Sequence, residues 1–112
     1  MDIKIDKHDD HLTVRLAGRL DSSNAGEFEQ ALLNRIDAGE LRLVLDLSEL
    51  SYISSAGLRV FLMAAKRLSA RQGRMALCGL QDNVREVFEI SGFTAILTVR
   101  ADLAEARAAL SA

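Results

Sequence analysis

The chain has 112 residues, of which 49% are hydrophobic and 27% charged, and its formal net charge is -2. This length and composition are typical of one globular domain spanning residues 1–112, and the near balance of 14 basic and 16 acidic residues argues against nucleic acid as a partner. No apolar run approaches the roughly 20 residues that cross a bilayer, and Met1–Lys4 lacks the apolar segment of a signal peptide, so we expect a cytoplasmic protein without a membrane partner.

Two alternating segments at the start of the chain predict a β-hairpin. In Ile3–Ile5 and again in Leu12–Leu16, apolar residues alternate with polar ones, the period of half-buried strands. A polar turn over Lys7–His11 joins them, so the two strands should pair antiparallel. This turn contains two histidines and two aspartates, but adjacent residues on an exposed turn rarely converge on one ion. We therefore expect a solvated turn, no metal site and no cofactor.

A helix and a buried strand follow the hairpin. The polar residues 22–24 are good N-caps, apolar residues at helical spacing run from Phe28 to Ile36, and Gly39 ends the helix. The segment Leu41–Leu47 is almost continuously apolar, which is typical of a central strand buried on both faces. Asp46 interrupts it, either turned outward, or accepting backbone hydrogen bonds near the strand end, or in a functional role.

The rest of the chain alternates helices and strands. The pattern predicts a helix over Ala56–Arg71, a strand over Arg74–Gly79, a helix over Gln81–Ser91, a strand over Ile96–Val99 and a helix over Leu103–Leu110. The order β-β-α-β-α-β-α-β-α with right-handed crossovers predicts an α/β fold. We expect a mainly parallel sheet of four to five strands, with an N-terminal antiparallel hairpin and about four helices. Nothing in this pattern demands more than a monomer.

Two serines, Ser54 and Ser55, occupy the junction between the third strand and the second helix. A serine hydrolase would need glycine two residues before and after its nucleophile, and here Ile53 precedes Ser55 although Gly57 follows it. The histidines that could act as a base lie far away in the hairpin turn. We therefore expect no enzymatic activity, and the serines either cap the helix or carry a chemical modification.

Three segments carry a resemblance to a known family. Gly18–Asp21, Leu45–Ser48 and Tyr52–Leu58 resemble a STAS domain of the anti-sigma factor antagonist family, and the resemblance extends over essentially the whole chain. It implies a small cytoplasmic switch protein without catalytic activity. Its partners would be a serine kinase with a histidine-kinase-like ATPase fold, which doubles as an anti-sigma factor, and a PP2C-type phosphatase. The unphosphorylated antagonist would bind the kinase and free its client, and phosphorylation would block that binding.

The resemblance also assigns residues at the junction. It places the phosphorylated serine at Ser55, two residues before Gly57, with Ser54 as the second choice because many members have aspartate there. Asp21 matches an aspartate beside the phosphosite. By its place in the first turn of the helix, Leu58 is a better candidate than Phe61 for an apolar contact with a partner, although most of this helix must also pack on the sheet. Relative to many members, this chain has alanine directly after the phosphoserine position and arginine in place of a frequent glycine. The residues expected to bind the partner are Asp21, Ser22, Ser54, Ser55, Ala56, Gly57, Leu58 and Arg59.

A second interpretation gives the chain a different function. In it the domain is a STAS scaffold subunit of a stress-signalling or lipid-transport assembly, and Ser55 is only the helix cap. Under the first interpretation Ser55 is expected to cap the helix as well as to carry the phosphate.

Overall fold

The computed structural model describes residues 1–111 and shows five strands and four α-helices in the predicted order. The strands are β1 (Asp2–Lys7), β2 (Leu12–Leu20), β3 (Arg42–Ile53), β4 (Arg74–Cys78) and β5 (Thr98–Arg100). The helices are α1 (Ala25–Asp37), α2 (Ser55–Ala70), α3 (Asp82–Ile90) and α4 (Leu103–Leu110), with one 3-10 turn at Phe93–Ala95. Within residues 1–111 no helix combines the length and the apolar character needed to cross a membrane.

The five strands form one sheet in the order β1-β2-β3-β4-β5. Strand β1 pairs antiparallel with β2, and the other three pairings are parallel. The structure thus confirms the predicted mainly parallel sheet with an N-terminal antiparallel hairpin. It also confirms the central place of β3, which has a neighbour on each side.

The two faces of the sheet are covered unequally. Helices α1, α2 and α3 share one large core with the apolar residues of the sheet, whereas α4 packs on Val44, Ala76 and Cys78 in a small second cluster. In the large core, Phe61 of α2 contacts Phe28 of α1 and Phe88 of α3, with ring centroids 5.4 and 5.7 Å apart. These aromatic contacts join three helices, and they fix α2 against its neighbours.

Strand β3 is longer than predicted, because it continues to Ile53 instead of ending at Leu47. Its C-terminal half remains paired with β2, with Ile53 opposite Leu20, and register shifts accommodate the polar residues between. No separate turn therefore lies between this strand and the serines. The strand leads directly into the helix.

Side chains from the start of α3 cover the free edge of this extension. The Gln81 side-chain amide donates to the Ser48 carbonyl at 2.9 Å, and the Asn83 amide donates to the Ser51 carbonyl at 2.7 Å. These bonds satisfy carbonyl groups that β4 is too short to reach. Together with β2 they hold the extension in place.

The last predicted strand is shifted toward the C-terminus. It was expected over Ile96–Val99, but β5 comprises Thr98–Arg100. The reason is the 3-10 turn at Phe93–Ala95, which the sequence pattern did not indicate and which leaves Ile96 65% exposed. Only after this turn does the chain reach the edge of β4.

Candidate functional site

The junction between β3 and α2 consists of the single residue Ser54. Its backbone is extended, with φ -96° and ψ 173°, and its N–H donates to the Leu20 carbonyl at 2.9 Å. Its side-chain oxygen turns back and accepts a hydrogen bond from the Gly57 N–H at 3.3 Å. Ser54 is therefore the N-cap of α2, held in position by the end of β2.

Ser55 is not the helix cap, contrary to the expectation from the sequence. It is the first residue of α2, which begins one residue earlier than predicted, and it is exposed. The physical reason is the extended backbone of Ser54, which allows that side chain, and not the next one, to reach an unpaired N–H of the first turn. The two adjacent serines thus have separate roles, since Ser54 closes the helix end and Ser55 stands outside that bond.

The floor of the junction is formed by close packing of Gly57 on the strand ends. Gly57 is buried, and a Cβ at this position would lie 2.7 Å from Leu20 Cγ and 3.0 Å from Ile53 Cγ1. Only a residue without a side chain allows this approach of α2 to β2 and β3. Ser54 and Ser55 therefore lie next to a closely packed contact between α2 and the ends of β2 and β3.

Leu58 belongs to the core, so the expectation that it offers an apolar contact to a partner is wrong. It is 4% exposed and is part of the large cluster between the sheet and the helices. The first half of α2 is apolar nearly all round, and Leu58 lies on the side of the helix that packs against the sheet. Gly57 is likewise buried, so both residues support the junction from below.

Asp21 lies in the loop between β2 and α1, directly after the residue whose carbonyl binds Ser54. Its carboxylate accepts hydrogen bonds from the hydroxyl and the backbone N–H of Ser23, and these bonds lower the pKa of Asp21. Ser22 beside it is exposed. The structure thus brings Asp21 and Ser22 to the same end of the sheet as the serines.

Asn24 shapes this loop in a way that its sequence position did not reveal. It is the N-cap residue of α1 by position, but its side chain makes no cap bond. Instead, the side-chain oxygen accepts from the Asp21 N–H at 2.9 Å, and the side-chain amide donates to the Arg19 carbonyl at 2.8 Å. These two side-chain bonds close the loop, and the Ala25 N–H, which donates to the Asp21 carbonyl at 2.9 Å, joins it to the start of α1.

A shallow groove between α1 and α2 adjoins the serines. It has a volume of about 190 Å³, and its lining includes Ala56, Arg59 and Met63 of α2 and Ala25, Gly26 and Glu29 of α1. Arg59 is exposed, while Ala56 is half-buried. The residues from α1 were not predicted from the sequence, because no local pattern indicates which helix lies beside the start of α2. Their contribution follows from the packing of the two helices alone.

Asp46 is a structural residue on the face of the sheet that α4 covers, opposite to α1, α2 and α3. It is 5% exposed, and it accepts hydrogen bonds from Arg15 Nε at 3.0 Å and from the Ser48 N–H at 3.0 Å. Burial by itself raises the pKa of Asp46, but the hydrogen bonds from Ser48 and Arg15 outweigh it, so the pKa lies below its ordinary value. Of the roles considered from the sequence, the structure supports that of a backbone hydrogen-bond acceptor, with an added ion pair to Arg15, but Asp46 lies inside β3 and not near its end, because the strand continues to Ile53.

A larger cleft lies on the same face of the sheet as Asp46, and neither Ser54 nor Ser55 lines it. Its volume is about 520 Å³, and its walls come from β3, β4 and the first turns of α4. Cys78 lies at its base, where burial raises the pKa of the thiol to about 11, an effect to which Asp46 and Asp102 add. A thiol with such a pKa is a weak nucleophile at neutral pH.

The chain resembles known proteins along nearly its whole length. The sequence model of the STAS domain family matches residues 2–106. A protein of Bordetella bronchiseptica, provisionally named the anti-sigma factor antagonist BtrV, is 51% identical over 97% of this chain and 93% of its own length. The anti-sigma-B factor antagonist of Listeria monocytogenes is 37% identical over 88% of this chain and 87% of its own length.

Solved structures of the Bacillus protein SpoIIAA share the fold. The unphosphorylated form, described as an anti-sigma factor antagonist, superposes with a TM-score of 0.74 at 20% identity, covering 93% of this chain and 92% of its own. The phosphorylated form superposes with a TM-score of 0.72 at 21% identity, covering 90% of this chain and 93% of its own. At such identities the likeness establishes the fold alone.

Proposed function

This chain belongs to the STAS domain family, among the anti-sigma factor antagonists, and we propose that it is a phosphorylation-controlled switch in a partner-switching circuit. In its unphosphorylated form it binds a serine kinase with a histidine-kinase-like ATPase fold, which also serves as an anti-sigma factor, and the client of that kinase is released. Phosphorylation at Ser55 blocks the binding, and a PP2C-type phosphatase restores it. The domain acts as a cytoplasmic monomer without catalysis of its own.

The observation that carries this proposal is the position of Ser55. A kinase needs a hydroxyl group that it can reach and that the fold does not need. Ser55 is exposed at the start of α2, and the helix is capped by Ser54 instead. A modification at Ser55 therefore leaves the cap, the Gly57 contact and the core unchanged.

The choice between the two serines follows from the same bond. The Ser54 oxygen accepts the Gly57 N–H, and Ser54 is half-buried. Placing a phosphate on that oxygen would disturb the cap, which contributes about 1 kcal/mol to helix stability. Ser55 carries no such cost, so it is the better substrate.

The charge of the phosphate explains how the switch releases its partner. A phosphoserine adds a charge of about -1.5 to -2 and three acceptor oxygens. At a helix N-terminus the fold tolerates this charge, because unpaired N–H groups and the positive end of the helix dipole face it. In an interface, a dianion buried without a cation costs several kcal/mol, which is enough to abolish binding. The phosphorylated and unphosphorylated structures of SpoIIAA support the idea that this fold accepts a phosphate and persists.

A phosphorylation assay tests the assignment of the site. The protein is incubated with ATP and the ATPase-fold serine kinase encoded by the same genome, and the phosphate is located by mass spectrometry. We expect Ser55→Ala to abolish the modification and Ser54→Ala to retain it. If Ser55→Ala accepts as much phosphate as the unmodified sequence, the assignment is wrong.

A binding assay tests the role of charge. We expect Ser55→Asp to weaken the complex with the kinase, and Ser55→Asn, which has nearly the same shape without the charge, to bind like the unmodified protein. Equal affinities of the aspartate and asparagine variants would contradict a charge-gated interface.

The alternative in which Ser55 only caps the helix of a scaffold subunit is not proposed, since Ser54 supplies the cap.

A further inference from the structure

Arg59 is placed one helical turn after Ser55 on the exposed side of α2. Residues four apart on a helix have Cβ atoms about 5–6 Å from each other, so an arginine at this spacing reaches a phosphate on the earlier residue. Both side chains are exposed. An acidic group at position i with a basic group at i+4 is also the orientation that stabilises a helix better than the reverse.

The guanidinium of Arg59 is uncommitted in the unphosphorylated structure. It lines the groove between α1 and α2, where Glu29 also lies. None of the salt bridges formed within residues 1–111 involves Arg59. A new anion on Ser55 therefore has no existing ion pair to displace.

Other cations near the junction or on α2 are either engaged elsewhere or too far from Ser55. The Arg19 guanidinium lies over the Tyr52 ring, 4.1 Å from its centroid. Arg67 forms a salt bridge with Asp37 at 2.7 Å. Lys66 is exposed on α2, but it lies about three turns beyond Ser55, too far to reach a group there.

We propose that Arg59 is the intramolecular partner of the phosphate on Ser55. This inference rests on the proposed function, since it requires phosphorylation at that residue. The planar guanidinium donates paired hydrogen bonds to two phosphoryl oxygens, a geometry that arginine favours and lysine does not. Arg59 thereby turns away from the groove. Phosphorylation changes the surface in two ways. It adds a dianion beside Ala56, and it withdraws the Arg59 guanidinium, which faced the partner next to Glu29.

The second ionisation of the phosphate gives a direct measurement of this contact. Phosphoserine is incorporated at position 55 during translation, so no kinase is needed, and the phosphorus NMR signal is followed through pH. A nearby cation favours the dianion, so the phosphate pKa is lowered while Arg59 is present. We expect Arg59→Gln to raise this pKa by about 0.3, the change that corresponds to an exposed helical ion pair.

Two further variants show whether the effect belongs to the contact. Lys66→Gln removes the same charge from the same helix, and we expect it to leave the phosphate pKa unchanged. Arg59→Lys keeps the charge without the planar fork, and we expect it to restore part of the lowering. The same pKa with and without Arg59, or an equal rise in Lys66→Gln, would overturn the proposal.

The outcome is independent of the kinase assay. If the kinase does not modify Ser55, the proposed function fails while a lowered phosphate pKa still demonstrates the contact. If Arg59→Gln leaves the phosphate pKa unchanged, the proposed role of Arg59 fails and the result of the phosphorylation assay is unaffected. In that case the phosphate is held by the N–H groups of the helix start alone.

Discussion

Replacing Gly57 with alanine tests how closely α2 approaches the strands that carry the serines. A Cβ there would lie 2.7 Å from Leu20 Cγ and 3.0 Å from Ile53 Cγ1, distances that force the neighbouring atoms to move. Gly26 provides a matched control, since it lies in the first turn of α1 and a Cβ at that position meets nothing within 4 Å. The two substitutions make the same chemical change, and they differ in packing.

The expected magnitudes follow from two opposing terms. Replacing a helical glycine with alanine stabilises the fold by up to about 1 kcal/mol, and by less near a helix end, where we take about 0.5 kcal/mol. Adding a methyl group to a filled site costs about 1–3 kcal/mol. We therefore expect Gly57→Ala to lose about 0.5–2.5 kcal/mol of unfolding free energy, and Gly26→Ala to gain about 0.5 kcal/mol.

Urea denaturation followed by circular dichroism measures both changes. With a slope of about 1.5 kcal/mol per M, the midpoint of Gly57→Ala should fall by roughly 0.3–1.7 M, and that of Gly26→Ala should rise by about 0.3 M. The difference between the two variants isolates the packing cost, since the helix propensity term is common to both. Equal midpoints would show that α2 does not need glycine at position 57, and would refute the close approach as the reason for it.

Three further outcomes can be checked by similar means. Ser54→Ala should lower the unfolding free energy by about 1 kcal/mol and Ser55→Ala by less than about 0.5 kcal/mol, as measured by urea denaturation, since only Ser54 makes the cap. Asp46→Asn should cost about 1–3 kcal/mol at neutral pH, and the deficit should shrink on acidification. The folded-state pKa of Asp46 is lowered, so the stability from its ionised form is complete above its unfolded pKa of about 3.9 and is lost as the pH falls through the folded value. Cys78 is buried, and its pKa is raised to about 11, so a thiol reagent near pH 8 should label the native protein much more slowly than the urea-unfolded protein, and rapid labelling of the native protein would contradict this burial.

The element order was predictable because it depends on local periodicity. Alternation in the hairpin, a continuous apolar run in β3 and helical spacing afterwards each specify their element without knowledge of the rest. The extension of β3 was not predictable in this way. Residues 48–52 are mostly polar, as in a turn, and they become a strand only because β2 pairs with them and because Gln81 and Asn83 cover their free carbonyl groups.

The sequence places the candidate site at the junction of β3 and α2, but it does not give the arrangement of the residues there. Two adjacent serines before a helix can each serve as cap, and the sequence offers no means to choose between them. The bond from the Ser54 N–H to the Leu20 carbonyl makes the choice, and it joins residues 34 positions apart in the chain. The burial of Leu58 has a similar cause, since a helix that is apolar nearly all round does not reveal which side the sheet covers.

The separation of the cap from the exposed serine has a consequence for the proposed switch. If one serine both capped the helix and carried the phosphate, phosphorylation would add charge and remove the cap together. Each cycle of phosphorylation and dephosphorylation would then change the stability of the fold by about 1 kcal/mol. With Ser54 as the cap, a phosphate on Ser55 meets the positive end of the helix dipole, which favours a negative charge by about 0.3–1 kcal/mol. The domain can then lose its partner without losing stability. Such a switch can be reset repeatedly, because both of its states are folded.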